Sequence, residues 1–247
     1  MPDWSKRTFL KSAAAAAATL PLVTGAEAKP RADLPKRWNR AADVVVLGYG
    51  GAGACAAITA KDAGADVVIF EKCSEGGGNT AVSSGGMMIP NNRDRAYTYL
   101  AKTYAFANSV MDEELLSAFV DEAMKSKDFL MSLAPDQKLY IYGHAGFQNI
   151  PESDAIDKWR FRTPKGQKTR GGDMLFNNYR YAVETVRKIP VVYNARALEL
   201  ITENDEVLGV WVEINGKKVA VKARRGVVLA TGGFEFDDKM LANHTMG

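Results

Sequence analysis

The sequence predicts an α/β fold with a central parallel sheet, and three observations lead to this prediction. Two continuous aliphatic runs, Asp43 to Leu47 and Gly226 to Ala230, are typical of strands buried on both faces, as in parallel sheets. The first run is followed by a small-residue helix and a second apolar strand, which completes a strand–helix–strand unit. The 247 residues are 47% hydrophobic and 25% charged, an ordinary globular composition.

The remaining elements follow from the hydrophobic periodicity. The first unit contains a helix over 54–63 and a strand over 66–70. Helical spacing covers Glu113 to Leu133 and Asp173 to Lys188. Short strands with alternating polarity are predicted over 197–202, 207–214 and 219–223, and Asn215-Gly216 is a hairpin signal between the last two. We therefore expect a small antiparallel β-meander beside the parallel sheet.

The first residues have the order of an export signal. Lys6 and Arg7 precede an alanine-rich apolar run from Ser12 to Val23, and Ala26-Glu27-Ala28 has the pattern of a cleavage site. The run is too short to span a bilayer, so no membrane span is predicted. The alternative is an alanine-rich helix docked on the body. We expect a signal peptide over 1–28, a linker over 29–41 and one domain over 42–247.

The export route is less defined than the signal itself. Ser5 to Lys11 resembles the twin-arginine signal, but Lys6-Arg7 stands where that signal has two arginines. The general secretion route therefore stays open. Either route predicts a periplasmic or other extracytoplasmic protein.

Charge and cysteine content exclude several classes of function. The chain has 32 Lys and Arg against 29 Asp and Glu, a net charge of +3, which is too small to predict nucleic acid as a partner. Two cysteines cannot form a disulfide scaffold, a cysteine-only zinc site or an iron–sulfur site. No Cys-x-x-Cys-His motif for c-type haem occurs. We predict no metal site.

A glycine turn after the first strand carries the clearest chemical signal. Gly48 permits a sharp turn, Gly50 lets the backbone approach a pyrophosphate, and Gly53 lets the helix pack closely on the strand. Glu71 ends the second strand, where a carboxylate can accept hydrogen bonds from ribose hydroxyls. This context predicts a Rossmann-like dinucleotide site, and the alternative is a glycine turn without a ligand.

A second glycine-rich segment bears on the choice between NAD and FAD, since both use the strand–helix–strand unit. Gly76 to Thr80 and Ser83 to Met87 are rich in glycine and hydroxyl side chains, and can wrap a long cofactor with backbone amides. Thr231-Gly232-Gly233 follows a buried strand beside the first turn, which favours a ligand contact over a simple strand-ending turn. FAD is therefore favoured over NAD.

These segments resemble a flavoprotein family. Val44 to Gly53, Glu71-Lys72, Gly77 to Thr80, Ser84 to Met87 and Ala230 to Phe234 are similar to fumarate reductase, succinate dehydrogenase, urocanate reductase and 3-oxosteroid 1-dehydrogenase. The resemblance implies that FAD contacts fall into five groups. They are the pyrophosphate loop (Gly48, Gly50, Gly51, Ala52, Gly53), the ribose (Glu71, Lys72), the flavin side (Gly78, Asn79, Thr80, Ser84, Gly85, Gly86), the adenine strand near Ala197, and the closing segment (Thr231, Gly232, Gly233).

The resemblance also implies an activity. Members of this family transfer hydride between flavin and an activated carbon–carbon bond of a small molecule, such as an unsaturated acid or a steroid. FAD is expected to be non-covalent, because Asn79 stands where one branch has a flavin-linked histidine. The substrate cap and final flavin-contacting segment of the family lie beyond the matching region, so no catalytic residue is assigned. The alternatives are an FAD-binding fragment or module that needs a second polypeptide, a steroid dehydrogenase, or an NAD-dependent dehydrogenase. An external electron carrier is expected.

The weaker candidates have structural explanations. His144 and His244 have no evident carboxylate partner and are predicted to be surface or structural residues. Cys55 is predicted to be a buried filler, and Cys73 to lie near adenine. Tyr140, Tyr142 and Phe147 are expected to pack in the core rather than form an aromatic wall. Residues 158–170 interleave aromatics with cations, and a solvated loop is favoured there over a polyanion site. The cations are Lys158, Arg160, Arg162, Lys165, Lys168 and Arg170.

Overall fold

The computed structural model describes residues 34–107, 109–162, 171–235 and 237–244. The predicted signal peptide lies outside the described residues, as do the first part of the predicted linker and the cations Lys165, Lys168 and Arg170. No helix within the described ranges is long and apolar enough to cross a membrane.

Nine strands and six helices make up this part of the chain. The strands are β1 (Arg40–Leu47), β2 (Val67–Phe70), β3 (Met87–Pro90), β4 (Leu139–His144), β5 (Ile156–Phe161), β6 (Val191–Val192), β7 (Ala195–Glu203), β8 (Glu206–Ile214) and β9 (Lys217–Leu229). The helices are α1 (Gly51–Asp62), α2 (Gly78–Val82), α3 (Arg93–Phe106), α4 (Glu113–Leu133), α5 (Gly171–Arg180) and α6 (Asp238–His244), and a π-helical segment (Tyr181–Val186) follows α5.

The larger sheet has six strands in the order β6-β2-β1-β9-β8-β7. Its first four strands are parallel, with Val45 of β1 in register with Val68 and Val227, whereas β9, β8 and β7 pair antiparallel. The predicted parallel sheet and antiparallel meander are therefore confirmed as two parts of one sheet. β1 begins at Arg40, two residues before the predicted domain boundary.

A single long strand replaces the two strands predicted over 219–223 and 226–230. β9 pairs with β8 along its first half and with β1 along most of its length, and the register shifts opposite Ala42 to Val44. The strand accommodates the charged Arg224 because its guanidinium points outward and pairs with Asp43 and Asp66, at 2.7 and 3.0 Å. The predicted hairpin is confirmed, with φ of +52° at Asn215 and +71° at Gly216.

The core lies on both faces of the parallel strands. On one face, Val46 and Ile69 pack against α1 and α5 through Ile58 and Phe176. The opposite face holds a second cluster of hydrophobic side chains from β1, β2, β7, β8 and β9. Burial on both faces explains why these strands are continuous aliphatic runs. The glycine-rich turns lie at the carboxyl ends of the same strands.

The smaller sheet was not predicted from the sequence. It has the order β3-β5-β4 and is antiparallel. The solvated loop predicted over 158–170 is wrong for residues 158–161, because Trp159 and Phe161 alternate with the cations and pack into the main core. Tyr142 and Phe147 are 42% and 68% exposed, so the expectation that they pack in the core is also wrong.

Candidate functional site

The turn after β1 brings together the ends of β1, β2 and β9. Gly48 has a φ of +100°, and its N–H donates to the Phe70 carbonyl at 2.8 Å. A Cβ at Gly48 would lie 2.3 Å from the Ala230 carbonyl oxygen. A Cβ at Gly53 would lie 2.0 Å from the Gly48 carbonyl oxygen. Helix α1 and the end of β9 therefore pack directly on this turn, and both positions require glycine.

The N-terminus of α1 faces the same edge of the sheet. Its N-cap is Gly50, which supplies no side-chain cap, and its first turn contains no acidic residue. Ala52 is exposed there, and the Gly51 N–H donates to Thr80 Oγ1 at 3.0 Å. Among the described residues, the atom nearest to a Cβ at Gly50 is the Gly77 carbonyl oxygen, at 3.6 Å. The backbone is therefore approachable where the helix dipole favours an anion such as a pyrophosphate.

The two glycine segments predicted from the sequence meet in the structure. Gly50 and Gly77 form an isolated parallel bridge, and the Gly77 N–H donates to the Tyr49 carbonyl at 2.7 Å. The Tyr49 ring is fully buried and lies 5.1 Å from the Phe176 ring. Burial raises the pKa of Tyr49, so its hydroxyl stays neutral. Tyr49 therefore anchors the turn to the core.

Glu71 lies at the end of β2 with its carboxylate buried. Its Oε2 accepts the Tyr49 N–H at 2.7 Å, and its Oε1 accepts the Cys73 N–H at 2.9 Å. Each carboxylate oxygen can accept a further hydrogen bond, so ribose hydroxyls and backbone amides can share this group. Glu71 therefore braces the glycine turn in addition to the role predicted for it.

The residues predicted to surround adenosine are placed near Glu71. The Ala195 N–H donates to the Glu71 carbonyl at 2.9 Å, and Ala197 lies two residues further along β7. Lys72 is exposed. Cys73 is also exposed, and desolvation followed by the charge of Glu71 raises the pKa of its thiol. A thiol with a raised pKa is a weak nucleophile at neutral pH.

The flavin-side residues form a short helix and the turn after it. Gly78, Asn79 and Thr80 lie in α2, which starts after a Gly77 φ of +131°. Asn79 Nδ2 donates to Glu235 Oε1 at 3.0 Å. Glu235 follows Thr231-Gly232-Gly233 in the chain, so this bond connects the flavin side with the closing segment. Glu235 was not predicted from the sequence, and its place two residues after the closing glycines is the signal that could have identified it.

Ser84, Gly85 and Gly86 contact segments that are distant in sequence. Gly85 has a φ of +68°, and a Cβ there would overlap the backbone of Gly171. A Cβ at Gly86 would lie 2.2 Å from the Tyr142 hydroxyl. The small sheet therefore borders the predicted flavin side, a proximity that residue patterns along the chain do not reveal.

The prediction that neither histidine has a carboxylate partner is wrong for one of them. His144 has a carboxylate partner, since its Nδ1 lies 3.0 Å from Oδ1 of the buried Asp157, which also accepts from Asn91 Nδ2 at 3.1 Å. The two residues are register partners on β4 and β5. His144 also lines a cavity of about 280 Å³ in the following loop, with Gly146, Gln148, Ser153 and Asp154. His244 is exposed on α6, with its ring 5.9 Å from Phe234.

Cys55 packs against the main core, as a filler would. Its thiol donates to the Tyr179 hydroxyl at 3.4 Å, and burial raises its pKa. Within the described ranges, no cluster of His, Cys, Asp and Glu has an arrangement that could hold a metal ion.

The residues of this site suit a dinucleotide cofactor that carries a long group beyond its ADP half. The glycine turn leaves backbone open at a positive helix N-terminus, and Glu71 presents a carboxylate at the end of β2. The Gly50–Gly77 bridge places the start of the Gly78–Gly86 segment beside this turn. Backbone and hydroxyl groups of that segment, such as those of Thr80 and Ser84, could contact a cofactor that extends beyond its ADP half.

Comparison with known proteins gives consistent results. The NADH:fumarate oxidoreductase of Klebsiella pneumoniae is 30% identical over 210 residues, covering 82% of this chain and 21% of that protein. The acrylate reductase flavoprotein subunit of Shewanella woodyi is 28% identical, covering 93% of this chain and 46% of that protein. The crystal structure of a 3-ketosteroid-Δ4-(5α)-dehydrogenase from Rhodococcus jostii, in complex with 4-androstene-3,17-dione, has a TM-score of 0.73 at 30% identity.

The match is partial in length. The Rhodococcus structure is covered over 51% of its chain and covers 87% of this one, so this chain spans at most about half of these relatives. A family model described as the FAD binding domain matches residues 43–247. The chain therefore belongs to the FAD binding domain family of flavoprotein oxidoreductases, with FAD as its cofactor.

Proposed function

We propose that this chain provides the FAD-binding part of an oxidoreductase that transfers hydride between flavin and an activated carbon–carbon bond. The observation that carries the proposal is the joining of the Gly48–Gly53 turn to the Gly77–Gly86 segment in a chain of this family. Two of the three relatives are named for fumarate and acrylate, and the third was crystallised with 4-androstene-3,17-dione. All three compounds contain a double bond conjugated with a carbonyl group, which is the chemistry we extend to this chain.

The residues of the chain would bind and orient the cofactor. The N–H groups at the start of α1 would hold the pyrophosphate, and Glu71 the adenosine ribose. Thr80 fixes the Gly51 amide, and the Asn79–Glu235 bond fixes the closing segment against α2. When bound, FAD supplies the N5 atom that accepts or donates hydride.

Anaerobic assays of the FAD-saturated chain test this proposal. Reduced viologen is the electron donor, and fumarate, acrylate and urocanate are the acceptors, with succinate as the saturated control. We expect viologen oxidation with an unsaturated acid and none with succinate. Turnover of a 3-oxosteroid with an electron acceptor, and of no unsaturated acid, would instead establish steroid dehydrogenation.

A second candidate is an FAD-binding module that turns over only with a further polypeptide segment. The exposed apolar side chains at the site edge favour it, since Val82, Met88 and Leu229 are 65%, 68% and 63% exposed. Such side chains are often covered by a partner. This candidate predicts FAD binding without turnover of any acceptor, whereas robust turnover by the chain alone would contradict it.

We further propose that FAD is bound non-covalently. Asn79 lies on α2 and its amide donates to Glu235, and an amide does not form a covalent bond to the flavin ring. Acid precipitation of the FAD-loaded protein should leave the yellow cofactor in the supernatant. Colour that stays in the washed pellet would contradict this prediction.

We also propose export of the folded protein and reduction by an external electron carrier. Lys6-Arg7 and the weakly apolar run to Val23 support the twin-arginine route, which accepts proteins that fold before transport. A fusion of residues 1–40 to a reporter that is active only when folded before export tests the route. Export should stop in cells that lack the twin-arginine translocase, and export that persists would indicate the general secretion route.

A further inference from the structure

One face of the small sheet carries cations stacked on tyrosine rings. Lys158 and Arg160 on β5, and Arg162 directly after it, alternate with Trp159 and Phe161, which pack in the core. The Arg160 guanidinium lies 4.6 Å from the centre of the Tyr142 ring, and Arg162 lies 5.0 Å from the centre of the Tyr140 ring. Stacking on an aromatic face holds a guanidinium without neutralising its charge.

Arg160 has no acidic partner within the described part of the chain. By contrast, Arg93, Arg95, Arg187 and Arg224 each pair with one or two carboxylates. The Nε of Arg160 is buried and has no hydrogen-bond partner among the described residues. A buried charged donor without an acceptor is unfavourable, and an anion held by the other nitrogens of the same guanidinium lowers this penalty.

The position of Arg160 connects this charge with the predicted flavin side. A Cβ at Gly171 would lie 3.2 Å from Arg160 Nε and 2.0 Å from the Ser84 carbonyl oxygen. The Tyr142 hydroxyl approaches Gly86 so closely that a Cβ there would lie 2.2 Å away. The Arg160–Tyr142 pair therefore borders the Ser84–Gly86 segment from a separate sheet.

We propose that Arg160, held against the Tyr142 ring, binds a planar anion at the Ser84–Gly86 edge. A guanidinium can form two parallel hydrogen bonds with a carboxylate or a similar delocalised oxyanion. Two sources offer this chemistry: a carboxylate of the substrate, or the negative charge on the pyrimidine edge of reduced flavin. This proposal rests on the proposed function only because it takes the Ser84–Gly86 edge as the flavin side. It adds Arg160 as a binding residue and a planar anion as the class of ligand.

The first arm of the test uses the FAD-free full chain. Calorimetry compares succinate with neutral succinamide for the wild type, Arg160→Gln and Arg162→Gln. Arg162→Gln removes the same charge from a similar tyrosine stack, and is the matched control. If the substrate is the source, Arg160→Gln weakens succinate binding at least tenfold and Arg162→Gln changes it less than twofold. Arg160→Lys, which keeps the charge, should be intermediate and guards against a folding defect in Arg160→Gln.

The second arm measures the two-electron reduction potential of the FAD-loaded proteins without substrate. If reduced flavin is the source of the anion, Arg160→Gln weakens the stabilisation of reduced relative to oxidised FAD at least tenfold. The reduction potential then falls by about 30 mV. Arg162→Gln leaves the potential unchanged. A change in either arm that is confined to Arg160 supports the proposal and identifies the source. No difference between the two variants in both arms overturns it. Failure of the wild type to bind FAD would count against the proposed function, while the first arm would still judge Arg160.

Discussion

Two neighbouring regions of the molecule are built differently. One is the glycine edge of the main sheet, formed by Gly48–Gly53 and Gly77–Gly86. The other is the cationic face of the small sheet, where Arg160 and Arg162 stack on tyrosine rings. At the glycine edge, backbone atoms form most of the close contacts, as at Gly48, Gly53 and Gly85. On the cationic face, side chains form them, as in the stacking of Arg160 on Tyr142. The first region tolerates few side chains, whereas the second is a surface on which side chains can be exchanged.

This difference predicts where substitutions do damage. A backbone-built site fails when a Cβ is added, because neighbouring backbone atoms cannot move aside. A side-chain-built face loses one contact at a time, and the fold persists.

Gly48→Ala is expected to have the largest effect. A positive φ costs a residue with a side chain about 1–2 kcal/mol, and the new Cβ would also overlap the Ala230 carbonyl. We expect a loss of about 3 kcal/mol or more in the free energy of unfolding, together with loss of FAD binding. Gly216→Ala is the control, since its φ is also positive but no atom of the described residues lies within 4 Å of a Cβ there, so its loss should be about 1 kcal/mol. Equal losses in urea titrations would contradict the packing argument.

Glu71→Gln should have the next largest effect. The amide keeps the shape of the side chain but replaces one acceptor oxygen with a donor, which faces the N–H of either Tyr49 or Cys73. We expect stability to fall by about 1–3 kcal/mol and FAD affinity to fall about tenfold, measured by fluorescence quenching. Glu75→Gln, at an exposed position in the same turn, should change neither. An unchanged FAD affinity in Glu71→Gln would remove Glu71 from the ribose site.

Asp157→Asn tests the small sheet. Asp157 is buried and accepts hydrogen bonds from His144 and Asn91, so its replacement should cost about 1 kcal/mol of stability. FAD affinity should stay within twofold of the wild type, because none of the predicted FAD contacts involves this residue. A large fall in FAD affinity would show that the two regions are coupled.

The smallest expected change is in the rate at which iodoacetamide labels Cys73. Its raised pKa leaves less thiolate at pH 8 than an ordinary cysteine has, so iodoacetamide should label it slowly, as followed by mass spectrometry. Saturation with FAD should slow the labelling further if adenosine lies beside Glu71. Cys55, which is more buried, should be labelled more slowly still. Labelling of Cys73 that FAD does not affect would contradict its predicted place near adenine.

The same difference explains how much could be predicted from the sequence. The glycine turn, β1, β2 and α4 follow from local patterns, because each residue type is required by its own backbone position. The meeting of Gly50 with Gly77 fits the resemblance, although the bridge itself is a tertiary contact. By contrast, His144 meets Asp157, and Arg160 borders Ser84, only because the small sheet forms. Local periodicity did not reveal that sheet, since the cations on one face of β5 obscured the core residues on the other.

FAD binding at the glycine edge is tested most directly by the visible absorbance spectrum of the full chain after saturation with FAD and gel filtration. We expect a yellow protein with flavin bands, with about one FAD per chain, and no displacement of the flavin by an excess of NAD. A colourless protein after gel filtration, or flavin bands that disappear when NAD is added, would contradict the assignment of this edge to FAD.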